Sequence, residues 1–190
     1  MRTIIIANGD PPAQRDIDTW FRKGDILICA DGGARVAMRY GLKPNLIVGD
    51  FDSLSENEIS ELETRGAQLL RHPRNKNETD LELALSLIPT LFDVTNGDME
   101  IVILGALGGR IDHELANMLL LAMPKIDGCN VVIAHEKSQI RLIDARSKEA
   151  TLTLRGRQGD TVSLIPFGGD AHGIRTQGLE YPLNDESLFF

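Results

Sequence analysis

The feature that most constrains this chain is a repeated change of period. Five short apolar runs, TIIIA (3–7), DILICA (25–30), NLIVG (45–49), AQLLRH (67–72) and EIVILGA (100–106), are each followed by a helix-like or loop-then-helix stretch. An apolar run without alternation is the pattern of a strand buried on both faces. Strand then helix with short links closes as a parallel sheet, because parallel neighbours need a crossover. The helix ends are marked as well. Ser55 with Glu58, and Thr79 with Glu82, have the spacing of capping boxes. Gly41 follows ARVAMRY, a glycine closes the helix that Ser55 opens, and Pro124 ends IDHELANMLLLAM. Leu81, Ala84, Leu85 and Ile88 share one face of the helix after Thr79. In the last helix Ile111, Leu115, Met118 and Leu119 form the expected buried side, with Arg110, His113 and Asn117 on another face.

After Pro124 the texture changes. NVVIAHE, QIRLID, ATLTL, TVSLIP and GIRTQ are short, β-rich and free of helical period. The expected fold is therefore α/β. An N-terminal open parallel sheet with helices on both faces (Rossmann-like) covers residues 1–124. A small C-terminal antiparallel β-sandwich domain covers 128–190.

Asp+Glu 28 against Lys+Arg 20 gives a net charge of −8. Such a surface repels nucleic acid and anionic lipid, so neither is an expected partner. The N-terminal apolar run is too short for a signal peptide or a membrane span, and no later window reaches spanning length. Cys29 and Cys129 are the only cysteines, and no close-spaced Cys/His pattern suggests zinc. The expected setting is the cytoplasm.

In an open parallel sheet ligands bind beyond the carboxyl ends of the strands. Here those ends carry Asn8-Gly9-Asp10, Asp31-Gly32-Gly33, Asp50 with Asp52, the loop from Asn75 to Asp80, and Gly105 through Asp112. Any one of these aspartates, read alone, is a turn or cap residue, and for Asp10 beside two prolines that plain reading stands. Together they make an acidic edge. Asp50 and Asp52, at i and i+2 in an extended segment, point the same way, and Asp31 and Asp80 border the same edge. Clustered carboxylates repel one another unless a cation lies between them, and hard oxygen ligands suit Mg²⁺ with substrate phosphates. Lys76 and Arg110 supply phosphate-binding charge, Arg110 at a helix start. The glycine pairs fit neither G-x-G-x-x-G nor a Walker pattern.

DGG, GDFDS, KNETDLELAL and GALGGRIDHELANM, in this order, resemble the thiamine pyrophosphokinase (thiamine diphosphokinase) family over about residues 25–123, and GDTVSLIPFGG and GLEYPL look like its second domain. The resemblance implies a transferase of thiamine diphosphate biosynthesis. It would move pyrophosphate from ATP to the thiamine hydroxyl and release AMP, with Mg²⁺. It assigns Asp50, Asp52 and Asp80 to the metal, and Asp31, Gly32, Lys76, Thr79 and Arg110 to ATP. Asp112, His113 and Asn117 go to the acceptor substrate. Asp52 or Asp112 is the candidate to take the hydroxyl proton. A homodimer with thiamine near the subunit interface is also implied. The family continues past the point matching Phe190 with a Ser-Asn-Glu segment and a last strand, so thiamine binding is expected to be affected more than ATP or metal binding. Two alternatives remain at this stage. One is a non-catalytic nucleotide or thiamine diphosphate binding module. The other is a haloacid-dehalogenase-like phosphatase, whose Asp-x-Asp follows a first strand rather than a third.

Overall fold

The computed structural model describes residues 2–92, 99–146 and 150–190. The first compact unit runs to Ala150 and the second spans Thr151–Phe190. In chain order the first contains β1 (Arg2–Ile6), α1 (Gln14–Trp20), β2 (Ile26–Ala30), α2 (Gly33–Arg39), β3 (Leu46–Gly49), α3 (Glu56–Thr64) and β4 (Gln68–Arg71). It continues with α4 (Asp80–Leu91), β5 (Glu100–Leu104), α5 (Ile111–Leu119), β6 (Asn130–His135) and β7 (Ser138–Ile140).

The strands form one sheet in the order β4-β3-β2-β1-β5-β6-β7. The first six are mutually parallel and β7 returns antiparallel to β6. Period 2 along each strand sorts the core into two layers. Ile4, Ile6, Leu27, Cys29, Ile47, Val102 and Leu104 face Ile17 of α1, Ala34 and Ala37 of α2, and Ile59 and Leu62 of α3. Ile5, Ile28, Val48, Ile101 and Ile103 face Leu81, Ala84, Leu85 and Ile88 of α4. The α4 face read from the sequence is thus the buried one. Each such Ile or Leu contributes about 1.5–3 kcal/mol by leaving water.

Local signals held where local chemistry decides them. Ser55 Oγ accepts from the Glu58 N–H, and the Glu58 carboxylate reaches back to the Ser55 N–H at 2.8 Å, completing the capping box of α3. Thr79 caps α4 by accepting from the Glu82 N–H at 3.1 Å, but among the described residues Glu82 does not return the bond, so only half of that expected box forms.

The change of texture at 124–128 is not where the units divide. β6 (NVVIAHE) pairs in parallel with β5 from Glu100↔Asn130 to Leu104↔Ala134, so its apolar residues complete the first sheet. The division falls after Ala150 because β6 pairs with β5 and its hairpin partner β7 pairs with β6, so both belong to that sheet. The helix facing also departs from expectation. Ile111, Leu115 and Leu119 of α5 are exposed by 67%, 56% and 53%. The amphipathic period was correct, but no described element covers that stripe.

The second unit is antiparallel. Its regular part is a two-stranded sheet of β8 (Ala171–Arg175) and β9 (Asn184–Leu188), with an irregular register near Ile174. ATLTL and TVSLIP run without strand partners among the described residues, and so no second sandwich layer is seen among them. An alternating run needs a neighbouring backbone edge to become a strand, and pattern alone does not provide one.

Candidate active site

The order in which strands are added reverses between β1 and β5, so the crevice there is the usual ligand position. Here backbone fills part of it. Gly9 N donates to Gly105 O at 2.7 Å and Asp10 N to Leu107 O at 2.8 Å. A Cβ on Gly9 would lie 2.6 Å from both Gly105 O and Leu107 O, so only glycine lets these loops join. The acidic edge lies one step over, at the ends of β2 and β3.

Asp31 follows β2 with φ +44°, and Asp50 and Asp52 follow β3. One oxygen from each of Asp31, Asp50 and Asp52 lies within 4.8 Å of the others. Asp31 is 5% exposed, and its Oδ1 is buried with no hydrogen-bond partner. Its other oxygen accepts the Ser53 hydroxyl. Burial raises the Asp31 carboxyl above its ordinary pKa. The Ser53 hydroxyl and the neighbouring Gly32 backbone pull it down, and the charges of Asp80 and Asp50 push it up again. Asp50 keeps a turn role too, since its Oδ1 accepts from the Asp52 N–H at 3.0 Å. That turn holds Phe51 at φ +65° with its ring buried, and the Arg71 guanidinium stacks 4.9 Å over it.

The remaining expected residues fall into separate groups. Lys76 Nζ sits 2.8 Å from Asp80 Oδ1, one turn apart at the start of α4. Asp80 is therefore charge-paired in this structure, as Asp52 is to Arg74 at 3.3 Å, and the cluster of three carboxylates is made by Asp31 with Asp50 and Asp52. Thr79 acts as the α4 cap, and Gly32 opens α2 as its N-cap residue. Arg110 caps α5 with its guanidinium turned onto Asp112, Nε to Oδ1 at 3.1 Å. That contact holds the Asp112 carboxyl below the usual carboxylate range. His113 is exposed on the next position. Asn117 donates through Nδ2 to the Ala106 carbonyl at 2.6 Å, tying α5 to the loop beyond β5. Among the described residues, no hydrogen bond or ion pair joins the Arg110–Asp112 pair to the trio.

Sequence reasoning missed Asn8, Ser53 and Arg71. Asn8 Nδ2 lies 3.5 Å from both Asp31 Oδ2 and Ser53 Oγ. Asn8 was named only as part of a strand end and Ser53 only stood beside named residues in GDFDS; tertiary contact between three strand ends gives them a role.

Three carboxylates, one with a buried oxygen lacking any donor, are costly alone and are satisfied by a hard cation. The trio fits Mg²⁺ on that ground. Fold and edge together define a doubly wound α/β protein with a cluster of three carboxylates that could hold a cation. Residues 17–133 match the family description "Thiamin pyrophosphokinase, catalytic domain", and residues 147–190 match "Thiamin pyrophosphokinase, vitamin B1 binding domain". The chain belongs to the thiamin pyrophosphokinase family.

Thiamine pyrophosphokinase 1 of Oryza sativa subsp. japonica is 29% identical over 185 residues, covering 87% of this chain and 68% of its own. Thiamine pyrophosphokinase of Bacillus subtilis (strain 168) is 28% identical over 186 residues, covering 97% and 83%. The crystal structure of the Bacillus subtilis enzyme superposes with a TM-score of 0.76 at 24% identity, over 100% of this chain and 84% of that one. Yeast thiamin pyrophosphokinase does so at 0.60 and 18% identity, over 70% and 58%. At these identities the structural likeness speaks for the fold.

Proposed function

We propose that this protein transfers the pyrophosphoryl group of ATP to the hydroxyl of thiamine, giving thiamine diphosphate and AMP. The observation that carries this is the consecutive match to a catalytic and a vitamin B1 binding domain of one family. In the transfer the thiamine oxygen attacks the β-phosphorus, the bond to the α-phosphate oxygen breaks, and AMP leaves. Chemistry of this kind asks for positioning and charge neutralisation more than for covalent help.

The residues suit those tasks. Asp50, Asp52 and Asp31 would hold Mg²⁺, which when bound supplies charge neutralisation and orientation of phosphate oxygens. Asp80 stands ready beside them, and Lys76, now on Asp80, is placed to take phosphate charge. Arg110, with Gly32 and Thr79 at helix starts, completes the ATP set. Asp52 and Asp112, the latter held below the usual carboxylate range by Arg110, are the candidate acceptors of the thiamine proton. His113 is the acceptor-side contact from α5. Asn117 serves that side indirectly, by fixing the loop at Ala106.

We further infer a homodimer with thiamine near the subunit interface, supported by the exposed apolar stripe of α5. The cytoplasm is the inferred setting, supported by the free thiols of Cys29 and Cys129. No described helix is long and apolar enough to cross a membrane.

The test is a single incubation with ATP, Mg²⁺ and thiamine, with AMP, thiamine diphosphate and inorganic phosphate measured by chromatography. Equal yields of AMP and thiamine diphosphate are expected, abolished by Asp50→Asn. Phosphate release without AMP would favour the phosphatase reading. Binding without any product would favour the non-catalytic one.

A further inference from the structure

The Asp31 carboxylate is asymmetric. Oδ2 accepts the Ser53 hydroxyl, with Asn8 Nδ2 at 3.5 Å, while Oδ1 is buried and unpartnered. Something must keep those two oxygens from exchanging places or rotating into other rotamers. The backbone does part of this. A Cβ on Gly49 would lie 3.0 Å from Asp31 Cβ, so the side chain is already seated against the end of β3. The rest falls to the hydroxyl.

Ser53 Oγ stands among three polar groups. It donates its single proton to Asp31, it lies 3.5 Å from Asp52 Oδ1, and it can accept from Asn8 Nδ2 at 3.5 Å. The order Asn8 N–H, Ser53 O–H, Asp31 Oδ2 is a directed chain that runs from the end of β1 to the end of β2 through the loop after β3. It engages one oxygen of Asp31 and leaves the other for a cation. Gly32 keeps the chain open, because a Cβ there would come within 2.2 Å of Asn8 Oδ1.

We propose that Ser53, backed by Asn8, is a positioning residue that orients Asp31 so that its free oxygen completes the divalent-cation site with Asp50 and Asp52. This rests on reading those three carboxylates as a cation site. Partners that orient a metal ligand typically change affinity ~10–100-fold when removed. A serine that merely closed the loop would change stability and leave cation affinity alone.

The experiment is a Mn²⁺ titration of the 190-residue chain without nucleotide or thiamine, followed by the loss of the free-ion electron paramagnetic resonance signal. Ser53→Ala, Ser53→Thr, Asn8→Ala and Asp31→Asn are compared with wild type, each checked for cooperative melting. Ser53→Ala is expected to weaken Mn²⁺ about tenfold or more. Ser53→Thr, which keeps the hydroxyl, should stay near wild type, and Asn8→Ala should fall between. Asp31→Asn should bind no better than Ser53→Ala.

Mn²⁺ binding by Ser53→Ala at wild-type strength overturns the proposal. So does a threonine variant as weak as the alanine one, since the loss would then follow shape rather than the hydroxyl. Wild-type Mn²⁺ binding that ignores Asp31→Asn removes the cation site and Ser53's role together. A chain that binds Mn²⁺ through Asp31 and responds to Ser53→Ala, yet makes no AMP, would leave this inference standing and overturn the proposed reaction.

Discussion

Asp31→Asn should make the metal-free protein more stable and the Mg²⁺-loaded protein comparatively less stable. In the wild type, Asp31 is 5% exposed and shares a 4.8 Å cluster with Asp50 and Asp52. Two unit charges at that distance repel by about 0.9 kcal/mol in water and about 3.5 kcal/mol at an effective dielectric of 20. The Asp52 side chain is 48% exposed and lies 3.3 Å from the Arg74 guanidinium, which keeps its share near or below the lower figure. Removing one charge therefore relieves about 2 kcal/mol of repulsion. The amide still accepts the Ser53 hydroxyl, but that bond weakens by about 1 kcal/mol on losing its charge. The net gain without metal is about 1 kcal/mol. With Mg²⁺ at a hundred times its dissociation constant, the wild type gains about 2.7 kcal/mol. The variant, short of a ligand, gains much less, so the order of stability reverses.

The pH sign is consistent. Burial leads the causes that raise the folded pKa of Asp31, so its favourable contribution is complete below the unfolded pKa and is lost as pH rises through the folded one. The stabilising effect of Asp31→Asn should be present at pH 7 and shrink in acid. Urea unfolding of both chains in EDTA and in Mg²⁺ measures all of this. A variant less stable than wild type in EDTA would refute the account of crowded charge. Wild-type curves that do not move with Mg²⁺ would refute the cation site.

Glu58→Gln should cost about 1 kcal/mol at pH 7, by losing the charge in the α3 capping box and the two bonds from Arg35 at 2.8 and 3.1 Å. Arg35 and then Ser55 hold the Glu58 carboxyl down to about 2. The difference from wild type should be full above the unfolded pKa of 4.5 and fade as pH falls toward 2, read by urea unfolding across pH. Gly33→Ala should destabilise by about 3 kcal/mol or more, because its Cβ would lie 2.1 Å from the Ile6 carbonyl oxygen between two backbones; a melting temperature like wild type would contradict the close approach of α2 to β1. Asn117→Ala should loosen the loop beyond β5 and cost about 1–2 kcal/mol, seen as faster amide exchange at 105–110, whereas a pure substrate contact would leave exchange unchanged.

Much of the fold was readable because its signals are local. The capping box of Ser55 and Glu58 spans one helical turn, and the face of α4 through Leu81, Ala84, Leu85 and Ile88 is set by the helix's own period. Where the outcome depended on a distant partner, local pattern fell short. NVVIAHE read as part of a β-rich domain, yet β5 offered it a parallel edge. Ile111, Leu115 and Leu119 were a correct apolar stripe facing the wrong way, because periodicity says which residues share a face and not what lies against it. β9, NDESL, carries too little apolar character to be read as a strand and exists by pairing with β8.

The same distinction divides the site. Repeated change of hydrophobic period, with polar and glycine residues at each run's end, was sufficient to assign a parallel sheet and to bring Asp31, Asp50, Asp52, Lys76 and Asp80 to one edge. That follows from chain direction, since every parallel strand delivers its carboxyl end to the same side. Only the tertiary structure decided that Asp31 joins Asp50 and Asp52 while Asp80 is held by Lys76, and that Asn117 holds a loop. It also placed Asn8 and Ser53 behind Asp31, across separations of 23 and 22 residues. Such choices are made by hydrogen bonds a few ångströms long between strand ends far apart in sequence, and no local period encodes them.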